Sequence, residues 1–96
     1  MQTYVLLSRL TDEGAKTIKE KPERILEVNR EIEALGAKVV HQYATLGRYD
    51  FVTIIEATGA MAVARVAVEL GARGTVKIET LSALPVDDFV ARLQQK

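Results

Sequence analysis

Apolar residues are concentrated in four short runs along the chain, separated by segments rich in polar and turn-forming side chains. Runs of seven to ten residues with many aliphatic and β-branched side chains are typical of buried strands. Only Gly47-Arg48-Tyr49 separates the second run from the third, which predicts a hairpin. The four predicted strands are Thr3–Arg9, Lys38–Leu46, Asp50–Glu56 and Thr75–Leu84.

Helical periodicity marks the longest segment between the first two strands. Pro22 is favoured at a helix start because its missing N–H is not needed there, and Gly36 is a natural stop. Apolar residues recur between them at spacings of three and four, which is the signature of an amphipathic helix. These residues are Ile25, Val28, Ile32 and Leu35.

Shorter helical segments are predicted elsewhere in the chain. A turn of helix covers Ala15–Glu20 after a loop over Leu10–Gly14, and Ala60–Leu70 predicts a helix buried on most sides. A last short helix begins at Pro85, and its apolar side consists of Val86, Phe89, Val90 and Leu93.

The resulting order, β-α-β-β-α-β-α, fits the ferredoxin-like split βαβ arrangement. Right-handed crossovers then give an α+β fold with a four-stranded antiparallel sheet, helices on one face and a short C-terminal helix. No linker or internal repeat interrupts the pattern, so the sequence predicts a single domain over residues 1–96.

Alternation along the strands predicts two different sheet faces. The purely aliphatic set is expected beneath the helices: Val5, Leu7, Val40, Val52, Ile54, Val76 and Ile78. The mixed set is expected on an open face: Tyr4, Leu6, Ser8, His41, Tyr43, Thr45, Phe51, Thr53, Ile55, Lys77, Glu79 and Leu81. An exposed face of this kind predicts a homo-oligomer interface, or an interface that also encloses a ligand cavity lined by Tyr4, His41 and Tyr43.

Three loops are predicted to meet at one edge of the sheet. The topology brings together the first loop with Asp12, the hairpin with Arg48, Tyr49 and Asp50, and the loop with Arg73. Two arginines could hold a carboxylate or phosphate in a bidentate clamp. The alternative is structural: Asp12 caps a turn, Asp50 pairs with an arginine, and the glycines permit positive φ.

His41 is the one histidine and the first candidate for acid–base chemistry, with Tyr43 two residues along on the same strand face. A packing or hydrogen-bonding role is the alternative for such a residue. No acidic or histidine partner stands at ligand spacing from His41, so no metal site is predicted.

Charge and composition narrow the function classes. The 96 residues contain 13 Lys and Arg and 13 Asp and Glu, and a net charge of zero argues against nucleic-acid binding. Cysteine is absent, so disulfides and thiolate chemistry are excluded. Uncharged stretches are far shorter than the roughly 20 residues of a membrane span. The N-terminus lacks a signal-peptide pattern, and a cytoplasmic location is expected.

The hairpin sequence Gly47-Arg48-Tyr49-Asp50 resembles the hallmark of the GYD domain family, whose name describes a Gly-x-Tyr-Asp element. The first loop and helix start, and the last strand, are also similar to that family. The resemblance spans roughly residues 3–89. Departures are the segment Ala57–Ala60, where the family has an acidic, proline-containing turn, and Thr75, Lys77 and Ser82, which replace Asn, Arg and Arg.

The resemblance implies a ferredoxin-like fold and oligomeric assembly, without an agreed reaction. By fold alone it relates the chain to dimeric α/β-barrel proteins, which include monooxygenases, isomerases and ligand-sensing modules. The leading hypothesis is a small homo-oligomer, without a cofactor, that binds an anionic or aromatic metabolite in a sensing or accessory role. The alternatives are a cofactor-free isomerase or monooxygenase using His41, and a purely structural assembly module.

Overall fold

Eight elements make up the computed structural model, which describes residues 1–95. The strands are β1 (Gln2–Leu10), β2 (Ala37–Ala44), β3 (Phe51–Ala57) and β4 (Val76–Ala83). The helices are α1 (Asp12–Glu20), α2 (Arg24–Ala34), α3 (Ala60–Gly71) and α4 (Val86–Gln94). All four predicted strands and the three main predicted helices are present, with ends that differ by one or two residues.

The sheet has the order β2-β3-β1-β4, and every neighbouring pair is antiparallel. Strands β1 and β3 therefore lie in the centre, and β2 and β4 form the edges. The core lies between this sheet and helices α1 to α3, where Leu6, Ile55 and Val66 are fully buried. This is the ferredoxin-like α+β arrangement expected from the element order, with the helices on one face.

Helix α1 is longer than the predicted turn and starts at Asp12, inside the segment expected to be a loop. Thr11 caps the helix, because its Oγ1 accepts a hydrogen bond from the Gly14 N–H at 3.1 Å. The predicted capping role of Asp12 is therefore taken by the residue before it. Gly14 lies within the first turn of the helix rather than in a turn that requires positive φ.

The assignment of the two sheet faces is corrected for β1 and β3. Val5, Leu7, Val52 and Ile54, expected beneath the helices, share the uncovered face, since they pair with one another across the strands. The residues that lie beneath the helices instead are Tyr4, Leu6, Ser8, Phe51, Thr53 and Ile55. The covered face includes the polar residues Ser8 and Thr53, whereas the uncovered face carries the purely aliphatic set, so the rule that the more apolar face lies beneath the helices fails here.

Strand β2 contains a bulge that changes the phase of its alternation. Val39 is paired with Ile55 and His41 with Ile54, so Val40 is the additional residue. Val40, expected in the core, is 38% exposed. The bulge leaves His41 and Tyr43 on the uncovered face, as expected, and turns Gln42 toward the helices.

Helix α4 is unlike the other three because none of its residues is buried. Its apolar side chains Val86, Phe89, Val90 and Leu93 are all between 44% and 71% exposed. A helix with this apolar stripe is normally covered by a neighbour. Within the single chain, α4 does not cover the uncovered sheet face, and nothing covers the apolar stripe of α4 itself among the described residues.

Gly14 provides the first testable prediction. A Cβ at this position would overlap the carbonyl oxygen of Thr75, which is backbone and cannot turn aside. We expect Gly14→Ala to lower the free energy of unfolding by about 3 kcal/mol, as overpacking in a tight contact does. The measurement is equilibrium urea unfolding.

Gly71→Ala is the matched control, because Gly71 is also helical and a Cβ there would meet nothing within 4 Å. That substitution is expected to change stability by no more than about 1 kcal/mol, in the stabilising direction. Equal effects of the two substitutions would contradict the close approach of α1 to Thr75.

Candidate functional site

A cavity of about 260 Å³ lies between the sheet and helices α1 and α2. Its apolar wall combines sheet residues with the inward faces of both helices. The apolar residues are Leu6, Leu10, Ile18, Ile25, Val28, Ile32, Phe51, Leu70, Val76 and Ile78. The volume lies just below the range of about 300–1,000 Å³ typical of pockets for drug-sized ligands, so the cavity suits a smaller molecule.

Two arginines stand in the wall of this cavity and share one carboxylate. Glu31 of α2 contacts Nη1 of Arg24 at 3.0 Å through Oε1, and its Oε2 is paired with Nη2 of Arg73 from the loop before β4. All three side chains are about one-third exposed. The ion pairs join α2 to the loop that follows α3 at the rim of the cavity.

Glu31 is held in its ionised form by these contacts. Burial alone would raise the pKa of this carboxyl, but hydrogen bonds from Arg73 and Arg24 outweigh it and lower the pKa below the ordinary value of 4.5. The carboxylate therefore keeps its charge near neutral pH and partly neutralises the two guanidinium groups.

Neutral polar groups occupy another part of the cavity wall. The amides of Asn29 and Gln42 exchange hydrogen bonds of 2.7 and 3.1 Å, and Gln42 Nε2 also donates to Thr53 Oγ1 at 3.0 Å. These groups largely satisfy one another, so they offer a ligand few unpaired atoms. Recognition of a charged ligand would accordingly depend on the arginines.

A second, shallower depression of about 130 Å³ lies on the opposite side of the sheet, near the hairpin. Its polar lining is Arg9, Arg48, Tyr49, Lys77 and Glu79. The Tyr49 hydroxyl donates to Glu79 Oε2 at 2.5 Å, and this hydrogen bond raises the pKa of Tyr49 above 10.0. The Arg48 guanidinium lies 5.8 Å from the centre of the Tyr49 ring.

Asp50 fixes the hairpin to the end of β1. Its Oδ2 accepts a hydrogen bond from the Leu10 N–H at 2.7 Å, and its own N–H donates to the Ser8 carbonyl at 2.8 Å. The carbonyl of Asp50 also accepts from the Thr45 N–H at 2.8 Å. Asp50 thus contacts backbone through each of its groups and forms no ion pair with an arginine among the described residues.

The loops that were expected to converge do contact one another. Thr11 donates through its N–H to the Thr75 carbonyl at 3.1 Å and through Oγ1 to the Gly74 carbonyl at 2.8 Å. The expected arginine clamp is not formed, because Arg73 lines the cavity beneath the helices and Arg48 lines the depression on the other side. Asp12 is exposed at the start of α1.

The remaining candidates lie apart from the cavity. Tyr4, expected on the open face, is buried beneath the helices at 5% exposure, and its hydroxyl donates to Gln2 Oε1 at 2.7 Å. His41 and Tyr43 are exposed on edge strand β2, and His41 lines neither the cavity beneath the helices nor the depression near the hairpin. The water-excluding pocket that acid–base catalysis by His41 requires is therefore not seen beside this residue within residues 1–95 of the single chain.

Sequence reasoning missed Arg24 and Asn29 as wall residues of the cavity. Arg24 belongs to a mixed cluster of charges that, from sequence, is typical of a solvated face. A signal was present in Asn29, which lies four residues after Ile25 and three before Ile32, on the apolar side of the helix. A polar residue within an apolar stripe indicates a polar partner opposite it, and in the structure that partner is Gln42.

Two negative findings apply to residues 1–95. They contain no group of three or more His, Cys, Asp or Glu side chains placed to hold a metal ion. None of their helices has the length and apolar character needed to cross a membrane.

Comparison with known proteins gives three findings. The GYD domain model matches residues 4–93. A Thermus thermophilus protein named glutamine synthetase and cystathionine beta-lyase binding protein is 54% identical over 95 residues, covering 98% of this chain and 100% of that protein. The crystal structure of TTHA0845 from Thermus thermophilus has a similar fold, with a TM-score of 0.57 and 23% identity over 88% of this chain and 95% of that one.

The lowered pKa of Glu31 predicts a pH-dependent contribution to stability. A carboxyl with a lowered folded pKa stabilises the protein fully above the unfolded value of 4.5, and this contribution is lost as pH falls below it. Because the ion pairs are partly exposed, we expect Glu31→Gln to lower the free energy of unfolding by about 1 kcal/mol at neutral pH. The difference from the unchanged protein should shrink as pH falls below 4.5.

Urea unfolding at a series of pH values measures this difference. Glu33→Gln is the control, since Glu33 is an exposed residue of the same helix. A cost of Glu31→Gln that stays constant from neutral to acid pH would contradict the ion-pair explanation.

Asp50 is predicted to be required for stability through its backbone contacts. Asp50→Ala leaves the Leu10 N–H without its charged acceptor, and we expect a loss of about 2 kcal/mol in the free energy of unfolding. Asp12→Ala, which removes an exposed carboxylate at a helix start, should cost less than about 1 kcal/mol. Thermal and urea unfolding of the two variants test this prediction. A larger loss of stability in Asp12→Ala than in Asp50→Ala would refute the stabilising role of the Asp50 backbone contacts.

Proposed function

The chain belongs to the GYD domain family, and from that membership and its two accessible surfaces we propose that it is a small accessory binding protein. In this proposal the uncovered sheet face joins copies of the chain into a homo-oligomer. The cavity beneath the helices holds a small anionic or aromatic metabolite. The assembly works in the cytoplasm by binding other proteins, without catalysis of its own.

The uncovered sheet face is the observation that carries the proposal. Its centre is a continuous aliphatic patch, because Val5 pairs with Ile54 and Leu7 with Val52. Tyr43 and Leu81, which extend the patch onto the two edge strands, are 57% and 46% exposed. Contiguous apolar residues that are exposed on the surface of a small protein often mark an interaction surface.

Charged side chains surround the aliphatic patch. Lys38, Arg9, Lys77 and Glu79 occupy the same face toward its ends and along β4. An apolar centre with a polar rim is the usual anatomy of a protein interface. Because the patch is built from paired strands, a second sheet of the same kind is a suitable partner for it.

The name of the Thermus thermophilus relative supports the accessory role. That protein is named for binding two enzymes, glutamine synthetase and cystathionine beta-lyase, and it is 54% identical to this chain. The apolar stripe of α4 gives this chain a further exposed surface for such a partner. We therefore assign self-association to the sheet face and enzyme binding to α4.

The geometry gives less support to the enzyme alternative. His41 is exposed and lines neither depression, and the described residues of the cavity wall include no histidine, acid or lysine to exchange a proton. General acid–base catalysis requires such a group within hydrogen-bond reach of the reacting atoms. The cavity is better suited to holding a molecule than to transforming it.

Native mass spectrometry tests the role of the sheet face. The double substitution Tyr43→Lys and Leu81→Lys places two charges on the patch at positions that are exposed in the single chain. We expect the unchanged protein to form an oligomer and the double variant to associate at least about 30-fold more weakly, as loss of interface hot spots does. Val68→Lys on α3, where Val68 is 70% exposed, is the control and should leave the assembly intact.

The same samples test the other parts of the proposal. We expect the unchanged protein to bind added glutamine synthetase from its own organism. The double variant Phe89→Ser and Leu93→Ser, which removes two apolar side chains of α4, should lose this binding. A retained metabolite adds mass in the native spectrum that disappears under denaturing conditions. A monomeric protein, or an oligomer unaffected by charges at positions 43 and 81, would overturn the assignment of the sheet face.

A further inference from the structure

The charges that face the cavity beneath the helices are all positive. Among the described residues, Arg24 and Arg73 are the only charged ones in its wall, and the other wall residues are apolar or neutral. Glu31 bridges the two arginines but does not itself line the cavity. A molecule inside would therefore meet two cations and no anion from this part of the chain.

The bridging carboxylate leaves much of the arginines' hydrogen-bonding capacity unused. Glu31 engages Nη1 of Arg24 and Nη2 of Arg73, and Glu27 approaches the same Nη1 at 3.5 Å, whereas each guanidinium carries five N–H donors in a planar fork. The remaining donors suit the two oxygens of a second carboxylate, which arginine binds in bidentate fashion.

The local charge balance indicates how much negative charge the site can take. The connected ion pairs comprise Lys21, Arg24 and Arg73 on one side and Glu27 and Glu31 on the other. Their sum is one positive charge. A single carboxylate would neutralise it, whereas a phosphate monoester would leave an excess of negative charge beside an apolar wall.

The apolar remainder of the cavity wall indicates the chemical character and size of the part of the ligand that lies beyond its charged group. Ile18, Ile25 and Val28 from the helices face Phe51 and Ile78 from the sheet across the cavity. These side chains favour an aliphatic chain or a single aromatic ring, and the volume of about 260 Å³ limits its size.

From this geometry we propose that the cavity binds small monocarboxylates with a compact apolar body, and that Arg24 and Arg73 hold the carboxylate. The inference rests on the proposed function, in which the cavity holds a metabolite, and it names the chemical class of that metabolite. Glu31 occupies the same guanidinium groups and competes with the ligand. Its negative charge therefore opposes that of the ligand, whose carboxylate is held by the N–H donors of Arg24 and Arg73 that Glu31 leaves unused.

The test is a titration of the purified full-length protein with hexanoate and benzoate, followed by amide chemical shifts in nuclear magnetic resonance spectra. Hexan-1-ol and hexylamine are the matched neutral and cationic probes. We expect both carboxylates to shift amides of the cavity wall, and hexan-1-ol to bind at least tenfold more weakly than hexanoate. Hexylamine should not bind.

Three variants and a control assign the recognition to the arginines. Arg24→Met and Arg73→Met keep an apolar stem of similar length, and each should weaken hexanoate binding at least tenfold. Glu31→Gln removes the competing charge and should tighten binding several-fold, whereas a merely structural role for Glu31 predicts weaker binding. Arg65→Met, at an exposed position of α3, should leave the affinity unchanged.

The possible failures separate the two proposals. Equal binding of hexan-1-ol and hexanoate, unaffected by Arg73→Met, would overturn the carboxylate assignment and leave the cavity as a site for neutral molecules. Weaker binding in Arg48→Met but not in Arg73→Met would move the anion site to the hairpin side of the sheet. Failure of every probe, with no retained mass in native spectra, would overturn the metabolite-binding function as well.

Discussion

The contact between the first turn of α1 and the carbonyl of Thr75 is the constraint on which the rest of the structure depends. Only a residue without a Cβ can lie there, and the contact is completed by hydrogen bonds from Thr11 to the backbone of Gly74 and Thr75. It fixes the loop before β4 against the start of α1. Arg73, next to that loop's Gly74, is consequently held at the rim of the cavity, where Glu31 can reach it.

One sheet provides both proposed binding surfaces, because successive residues of its central strands face opposite sides. In β1, Leu6 and Ser8 line the cavity beneath the helices, whereas Val5 and Leu7 belong to the uncovered face. A ligand in the cavity and a protein on the open face would thus contact neighbouring residues of the same strand. This arrangement makes it possible for an accessory protein to respond to a metabolite without a hinge or a separate domain.

The element order and the family could be predicted from sequence, because strand runs, helical spacing and turn residues are local signals. The buried face of β1 and β3 could not, since Val5 and Leu6 are equally apolar and the helices alone decide which is covered. The bulge at Val40 added a second obstacle by breaking the alternation of β2. The loop position of Arg73 makes it a candidate from sequence alone, but its partner Glu31 is forty-two positions earlier, and only the packing of α2 against that loop joins them.

The position of β1 in the middle of the sheet has a consequence for the order in which the protein is synthesised. Val5 emerges from the ribosome long before Ile54 and Leu81, its neighbours on the two sides. Until β4 is complete, one edge of this apolar strand has no backbone partner, although the hairpin of β2 and β3 can already form. The sheet therefore closes only after β4 has been synthesised, and until then the open edge of β1 can pair with the strand of another chain.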